Sequence, residues 1–433
     1  MTFLYSAVLA VALLLTLPYW VLQMLRSGKY RAGLAERFGR VPARLRSDGR
    51  RAIWVHAVSV GEVLAVSRVI QELRTRFPGH RVVISTTTAT GQKLARERFG
   101  EENVFFFPLD FTFALRPYFD LLQPEFIVVA ETELWPNFFR LARERGAKVA
   151  VINARISDRS FPRYRMVSRL LAPVLDNVDL FLAQSREDAG RIVAIGASPD
   201  RVEAVGNLKF DIPAGSTSAL VQQLRHAATG PVIVCGSTVA GEEPIVLDAL
   251  RAVQRRFPGT LLILAPRHPE RFDAVAGLLA SSGMSFWRRS QWDGGPFHQG
   301  GVFLLDTIGE LADLYQLANV AFIGGSLVPR GGHNILEAAR FGVPMVVGPY
   351  TENFRDIVNS FILAHAIRIA NATQLGSTID GLLADPGACR SLGDRARETW
   401  QVNAGATART LARIDELMPQ PMSSAALPEK ENA

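Results

Sequence analysis

The stretch HAVSVGEV, residues 56–63, has the pattern of a turn that leaves a buried strand and opens a helix. Nucleotide-binding folds usually place glycines at this turn, so that backbone N–H groups bind a phosphate. Here the turn carries Glu62, and a carboxylate repels phosphate. We therefore predict that Glu62 handles a proton. Two alternatives remain open: Glu62 serves only the helix dipole, and His56 is either a rival base or a packed residue at the strand end.

Further charged side chains follow strands in the same half of the chain. VVAETELWPN ends a strand with Glu131 and Glu133, which strand alternation points to the same side. GNLKFD supplies Lys209 at another strand end, a cation suited to a leaving phosphate or to the carboxylate of a sugar acid. The structural alternative is that a carboxylate and the lysine simply form an ion pair.

A glycine-rich stretch in the second half, FIGGSLVPRGGHNILEAARFG at residues 322–342, runs from a strand through a loop into a helix. Backbone N–H groups and the positive end of the helix then converge on an anion such as a phosphate. Asn334 and Glu337 lie on the first helical turn, where a carboxylate accepts hydrogen bonds from the hydroxyls of a ribose. Alternatively, Glu337 only caps the helix.

Two shorter stretches end further predicted strands. APRHPER supplies Arg267 and His268, donors suited to a phosphate or to the edge of a base. LDTIGEL ends in a turn whose backbone, at residues 308–310, is suited to reading a base edge. Surface charge and an ordinary helix start are the alternatives. Together with the glycine-rich loop, these stretches predict a nucleotide site.

Near-continuous apolar strands alternate with helical stretches over residues 52–207 and again over 228–375. This pattern predicts an α/β protein with two parallel sheets, each covered on both faces. The halves also echo each other, because Gly61-Glu62 and Gly241-Glu242 are 180 positions apart. We expect two facing Rossmann-like domains, residues 27–212 and 213–417, the second including the terminal helix. Ligands would bind at the carboxyl ends of the strands.

The two ends of the chain differ in composition from the rest, and the N-terminal end bears on where the protein is located. Residues 2–25 carry no charge and are long enough to cross a bilayer, so we predict a membrane anchor at residues 1–26. A buried helix and a monotopic hairpin lying in the interface are the alternatives. The arginine-rich segment that follows puts the bulk of the protein in the cytoplasm. Residues 418–433 are predicted to be a disordered tail.

The net charge of +7 comes without a nucleic-acid motif, which indicates a membrane surface as partner and no nucleic acid. Two cysteines in 433 residues exclude a disulfide framework and a cysteine-based metal site. The seven histidines show no metal-binding spacing, so no metal and no cofactor are predicted.

Several stretches resemble one family. HAVSVGEV, ETELWPN, NARISDRS, GNLKFD, APRHPER, DTIGEL and GGSLVPRGGHNILEAA, with RAGLAERFG before them, are similar to the 3-deoxy-D-manno-octulosonic acid (Kdo) transferases, glycosyltransferase family 30. The resemblance runs to about residue 360. It implies a GT-B fold, CMP-Kdo as donor, a lipid A precursor, lipid IV(A), as acceptor, inversion at the anomeric carbon, and an inner-membrane enzyme with cytoplasmic catalytic domains.

The resemblance also implies roles for individual residues. Glu62 is the proton acceptor, and Glu131 and Lys209 stabilise the transition state. CMP is bound at Arg267, His268, Ile308, Gly309, Glu310, Gly325, Asn334, Ile335, Leu336 and Glu337. Two other functions remain as alternatives: a membrane-associated GT-B transferase that uses a UDP-sugar, and a non-catalytic membrane scaffold that keeps a nucleotide-binding fold.

Overall fold

The computed structural model describes residues 2–27, 32–46, 48–211, 218–297 and 300–418. The chain forms two compact units. Unit 1 comprises Met1–Asp211 and Ala404–Ala433, and unit 2 comprises Ile212–Asn403.

Unit 1 contains a seven-stranded sheet in the order β3-β2-β1-β4-β5-β6-β7, in which neighbouring strands are parallel. The strand order reverses between β1 and β4, which is where open α/β sheets bind ligands. The strands are β1 (Ala52–His56), β2 (Arg81–Thr86), β3 (Val104–Phe106), β4 (Pro124–Ala130), β5 (Lys148–Ala154), β6 (Leu180–Ala183) and β7 (Val202–Ala204).

The central strand β1 is buried on both faces, because alternate side chains enter different cores. Trp54 packs among Phe105, Phe119 and Phe138 on one face, with ring centroids 4.8–5.4 Å apart, while Val55 belongs to the core on the other face. The helices up to β7 are α1 (Thr2–Ser27), α2 (Leu34–Arg37), α3 (Val60–Arg76), α4 (Ala89–Phe99), α5 (Thr112–Leu122), α6 (Pro136–Glu144), α7 (Phe161–Met166), α8 (Ser168–Leu175) and α9 (Arg186–Ala194).

Unit 2 repeats the parallel architecture with the strand order β10-β11-β9-β8-β12-β13-β14. Its strands are β8 (Val232–Thr238), β9 (Leu261–Pro266), β10 (Phe286–Arg288), β11 (Gly301–Leu304), β12 (Val320–Ile323), β13 (Met345–Val347) and β14 (Arg368–Ile369). Its helices are α10 (Ala219–Ala227), α11 (Glu243–Gln254), α12 (Phe272–Ser281), α13 (Leu311–Leu314), α14 (Leu336–Ala339), α15 (Arg355–Leu363), α16 (Leu375–Ala384) and α17 (Pro386–Asn403). The prediction of an α/β protein with two parallel sheets is confirmed.

The terminal helix α18 (Ala406–Leu417) belongs to unit 1, whereas the sequence analysis assigns it to the second domain. Leu411 and Ile414 are buried in a unit 1 core. The Asp211 carboxylate accepts hydrogen bonds from the N–H groups of Gly405 and Thr407, at the start of the helix. From the sequence, α18 is assigned to the second domain because it follows that domain in the chain. Its position is instead decided by the apolar side chains that it buries in unit 1.

The structure does not support the predicted N-terminal anchor, and it leaves most of the predicted C-terminal tail undescribed. Among the residues that the structure describes, no helix is both long and apolar enough to cross a membrane, so the predicted spanning anchor is not supported. Helix α1 packs against α6, and Asn137 donates a hydrogen bond to the Ser6 hydroxyl at 3.0 Å. Apart from Met418, the predicted disordered tail lies outside the described residues.

The carboxylate of Asp211 offers a test of how α18 is held. Asp211→Ala removes an acceptor from two backbone N–H groups at the helix start, so we expect it to lower the free energy of unfolding by about 2 kcal/mol. Denaturant unfolding measures the change. Asp415→Ala is the control, because it breaks only the exposed ion pair with Arg76 and should cost less than about 1 kcal/mol. Equal effects of both variants would contradict this account of the docking.

Candidate active site

Four charged side chains come together at the carboxyl end of the unit 1 sheet. Glu62 follows β1, Glu131 and Glu133 follow β4, and Lys209 follows β7. The Nζ atom of Lys209 lies 3.2 Å from Oε1 of Glu131. Glu62 interacts electrostatically with Glu131, Glu133 and Lys209. We call these four residues the carboxylate cluster. The structure thus brings together the three predicted catalytic residues, and their roles remain predictions.

Glu62 lies in the first turn of α3 and takes part in its N-terminal cap. Ser59, the cap residue, donates its hydroxyl to Oε1 of Glu62, and the N–H of Val58 donates to Oε2, each at 2.7 Å. The Glu62 N–H in turn points at the Ser59 hydroxyl, as in a capping box. Glu62 therefore has a structural role, which the alternative interpretation expected. Each carboxylate oxygen nevertheless keeps a free lone pair for another proton donor.

The environment of Glu62 favours proton uptake. Burial raises the pKa of this carboxyl, and the charge of Glu131 raises it further. The hydrogen bonds from Ser59 and Val58 and the charge of Lys209 oppose that rise. A carboxylate that is fixed in orientation and has a raised pKa is suited to general base chemistry.

Glu131 has an unusual backbone conformation. Its φ of 58° lies in the left-handed region, which costs a residue with a side chain about 1 kcal/mol or more. Its N–H donates to the Ile152 carbonyl at 2.9 Å, which holds the turn after β4 in place. Such strain is common at functional sites, where the surrounding structure imposes it.

Two asparagines that the sequence analysis does not single out hold Lys209. The N–H of Leu208 donates to Asn153 Oδ1, and the N–H of Lys209 donates to Asn207 Oδ1, each at 3.0 Å. Asn153 is fully buried and has a left-handed φ of 53° at an irregularity of β5. Both asparagines lie in stretches that carry the family resemblance, NARISDRS and GNLKFD, which was the available signal.

Glu133 is the least stabilised member of the carboxylate cluster. Burial raises its pKa to about 7, and the charges of Glu62 and Glu131 contribute to that rise. The three carboxylates interact with one another, so the last of them to ionise does so against the charge of the others.

His56 is not a rival base in this structure. Its ring is completely buried and stacks on Phe107, with 4.0 Å between the centroids. Its Nδ1 lies 3.0 Å from the Ser85 hydroxyl. Burial lowers the pKa of His56 to about 3, so the imidazole is neutral at physiological pH. The alternative of a packed residue at the strand end is correct.

In unit 2, predicted nucleotide-binding residues also lie close together. Arg267 and His268 follow β9, and both interact electrostatically with His333, while Arg267 also interacts with Glu337. Asn334 donates to Glu337 Oε1 at 3.3 Å and accepts from the Leu336 N–H at 3.1 Å. Ile335 and Leu336 are buried beneath this turn. Burial raises the pKa of Glu337.

The turn at residues 308–310 lies at the surface of unit 2. Ile308 is 79% exposed, and Gly309 has a φ of 92° that favours glycine. The Glu310 side chain accepts hydrogen bonds from Arg289, at 3.0 Å, and from Thr307. Helix α13, which begins at the next residue, packs against α14.

The glycine-rich loop corrects one prediction. Its N–H groups bind an anion, but that anion is Glu242 of the same chain. The Glu242 carboxylate is completely buried and accepts hydrogen bonds from the N–H groups of Gly325, Ser326 and Leu327 at 2.7–3.0 Å, and from that of Val239 at 3.0 Å. In this structure the Gly325 N–H is therefore not free for a phosphate.

Gly325 has a different function in the structure. Its φ is 71°, and a Cβ atom there would lie 2.7 Å from Nε2 of His333. Glycine thus makes room for the His333 ring, whose Nε2 is buried and has no hydrogen-bond partner among the described residues. Burial and the neighbouring Arg267 and His268 lower the pKa of His333 to about 4. The His333 ring is therefore neutral at physiological pH.

Among the residues with a described position, no three His, Cys, Asp or Glu side chains are arranged to hold a metal ion.

The raised pKa of Glu133 predicts a pH-dependent stability. The folded protein holds this proton more tightly than the unfolded chain, so ionisation of Glu133 destabilises the fold as the pH rises from 4.5 to about 7. We expect Glu133→Gln to stabilise the protein by about 1–2 kcal/mol at pH 8 and by much less at pH 5. Thermal unfolding at both pH values measures this, with exposed Glu97→Gln as the control. A gain that does not depend on pH would contradict the account.

The carboxylate of Glu242 predicts a second stability effect. Glu242→Gln replaces one carboxylate oxygen by an NH2 group, which cannot accept hydrogen bonds from the four backbone N–H donors. We therefore expect the free energy of unfolding to fall by about 2–4 kcal/mol. Denaturant unfolding of Glu242→Gln beside exposed Glu352→Gln makes the comparison. Unchanged stability of the first variant would mean that the loop has another acceptor.

A family model described as "3-Deoxy-D-manno-octulosonic-acid transferase (kdotransferase)" matches residues 32–212, which lie almost wholly in unit 1. The 3-deoxy-D-manno-octulosonic acid transferase of Bordetella pertussis is 35% identical over 421 residues, which are 95% of this chain and 97% of that protein.

Two solved structures are also similar. The C-terminal CMP-Kdo binding domain of WaaA from Acinetobacter baumannii is 39% identical and covers 42% of this chain and 95% of its own, with a TM-score of 0.40. A putative UDP-N-acetylglucosamine 2-epimerase from Listeria monocytogenes is 14% identical over 85% of this chain and 96% of its own, with a TM-score of 0.50. At this identity the second likeness shows the fold alone, the two Rossmann-like units of the GT-B class. From the extent and identity of the Bordetella match, we conclude that the chain belongs to the 3-deoxy-D-manno-octulosonic acid transferase family of glycosyltransferases.

Proposed function

We propose that this protein transfers Kdo from CMP-Kdo to a lipid A precursor, lipid IV(A), with inversion at the anomeric carbon. Membership of the Kdo transferase family supports the transferred sugar. CMP-Kdo and the lipid acceptor come from the resemblance of the sequence motifs. The observation that carries the chemistry is the carboxylate cluster, where Glu62 has a raised pKa and a fixed orientation beside Glu131 and Lys209.

The reaction needs a proton acceptor. The acceptor hydroxyl attacks the anomeric carbon of Kdo, the new C–O bond forms, and the bond to the phosphate oxygen of CMP breaks. The hydroxyl proton passes to Glu62, whose carboxylate is held by Val58 and Ser59. The raised pKa of Glu62 makes it a stronger base than an exposed glutamate.

Lys209 and Glu131 act on the charge that develops during transfer. The ammonium group of Lys209 stabilises negative charge on the departing phosphate or on the Kdo carboxylate. Glu131 orients Lys209 through their 3.2 Å ion pair.

Unit 2 supplies the CMP site in this proposal. Arg267 and His268 are exposed donors for the phosphate, and the Glu337 carboxylate accepts the ribose hydroxyls. The backbone at residues 308–310 reads the cytosine edge. The cytoplasmic surface of the inner membrane is the proposed location, because the acceptor is a lipid and the chain carries a net charge of +7.

The structural and catalytic roles of Glu62 can be separated. Glu62→Gln should lower the transfer rate at least about 100-fold while CMP binding is unchanged, because the amide cannot take the proton. Ser59→Ala is the matched control: it weakens the same cap, at a cost of about 1 kcal/mol in stability, but keeps the carboxylate. Initial rates by mass spectrometry of the product and CMP binding by calorimetry are the measurements. Full turnover by Glu62→Gln would contradict the role of Glu62 as proton acceptor, whereas absence of transfer by the unaltered chain would favour the non-catalytic scaffold.

The identity of the nucleotide can be tested by thermal shift. We expect CMP to raise the melting temperature more than UDP does at equal concentration. Glu337→Gln should weaken CMP binding about tenfold by removing charged hydrogen bonds to the ribose, whereas exposed Glu352→Gln should not. A larger shift with UDP would favour the UDP-sugar alternative.

A further inference from the structure

Three large apolar side chains at the junction of α7 and α8 are turned towards solvent. Met166 is 86% exposed, Leu170 60% and Val167 40%. Their neighbours Phe161, Tyr164, Leu171 and Val174 pack against a unit 1 core. The inward-facing side chains anchor α7 and α8 to the core, so the exposed apolar side chains are held in place on the surface of two helices. Exposed apolar groups held in this way mark an interaction surface.

The same surface is strongly basic. Residues 159–175 contain four arginines and no acidic residue. Arg163, Arg165 and Arg169 are exposed, and none of the described residues forms an ion pair with them. We call Arg163, Arg165, Met166, Val167, Arg169 and Leu170 the α7–α8 surface. Apolar groups flanked by unpaired arginines are complementary to an anionic lipid bilayer, which offers phosphates above an apolar interior.

A second apolar stripe lies on the same unit. Helix α1 exposes Val8, Val11, Leu14 and Leu15 by 55–77%, at a spacing that puts them on one side of the helix. Helix α1 packs against α6, and α6 packs against α8. Both apolar surfaces therefore belong to helices that pack against α6.

The α7–α8 surface also borders the carboxylate cluster. The inward-facing Tyr164 of α7 interacts electrostatically with Glu133. A lipid headgroup on the outer side of α7 would therefore lie on the helix whose inner side faces Glu133 of the carboxylate cluster.

We propose that the α7–α8 surface docks unit 1 on an anionic bilayer, with Met166 and Leu170 entering the headgroup region and the three arginines binding lipid phosphates. This inference rests on the proposed transfer to a lipid acceptor. It assigns to particular residues the contact through which the chain reaches that acceptor.

The first test measures binding of the full chain to vesicles of phosphatidylcholine mixed with phosphatidylglycerol, and to vesicles of phosphatidylcholine alone. We expect stronger binding to the mixed vesicles. Replacing the three arginines by glutamine should weaken that binding on the order of 100-fold, since each basic residue near an anionic surface contributes about fivefold. Met166→Gln with Leu170→Gln should weaken binding to both vesicle types.

Matched controls come from unit 2. Arg255→Gln, Arg355→Gln and Arg390→Gln together remove the same charge from exposed arginines elsewhere. Leu363→Gln with Val402→Gln replaces two apolar side chains that are 82% and 75% exposed. Both controls should bind vesicles like the unaltered chain, and thermal unfolding of every variant should be unchanged because all substituted side chains are exposed. Equal loss in the controls would overturn the proposal, and so would unaltered vesicle binding by the α7–α8 variants.

The second test separates this inference from the proposed function. Transfer is measured to an acceptor dispersed in detergent micelles and to the same acceptor embedded in mixed vesicles. We expect the α7–α8 variants to keep the first activity and lose the second. Equal loss of both activities would mean that the surface acts in folding or chemistry, which would overturn the docking inference. Absence of transfer by the unaltered chain in micelles would count against the proposed function, while the vesicle-binding result would still decide the docking inference.

Discussion

The interaction on which both candidate sites depend is a buried carboxylate that accepts hydrogen bonds from the backbone of the turn after the first strand. In unit 1, Glu62 binds the Val58 N–H and the Ser59 hydroxyl. In unit 2, Glu242 binds four N–H groups and ties the turn after β8 to the glycine-rich loop. An unmade hydrogen bond in such a place costs about 1–3 kcal/mol, so these carboxylates fix the loops. The same Gly-Glu dipeptide, Gly61-Glu62 and Gly241-Glu242, follows the first strand of each unit, which fits this shared role.

The two carboxylates differ in what remains available to a substrate. Glu62 has two close donors and lies in the field of Glu131, Glu133 and Lys209, so it retains the capacity to accept a proton. Glu242 is saturated by backbone donors and completely buried, so it serves the architecture of unit 2. The same local device therefore supports a reactive group in one unit and a rigid loop in the other.

Crowding of like charges and backbone strain make the carboxylate cluster costly for the fold. Glu62, Glu131 and Glu133 repel one another, and Lys209 forms an ion pair with Glu131. Glu131 and Asn153 both have left-handed backbone conformations. Natural proteins keep such arrangements where function requires them, because most sequences would relieve the repulsion. The cost is offset by the aromatic and aliphatic cores that enclose β1 on both faces.

Much of this protein could be predicted from its sequence. Runs of apolar residues between helical stretches determined the α/β class and two parallel sheets, because such strands are stable only when both faces are covered. Strand-end positions determined that Glu62, Glu131 and Lys209 would lie at one edge of a sheet. Only the tertiary structure decided that His56 is packed, that Glu242 occupies the glycine-rich loop, and that α18 belongs to unit 1. These outcomes depend on contacts between residues far apart in the chain, which local sequence patterns do not encode.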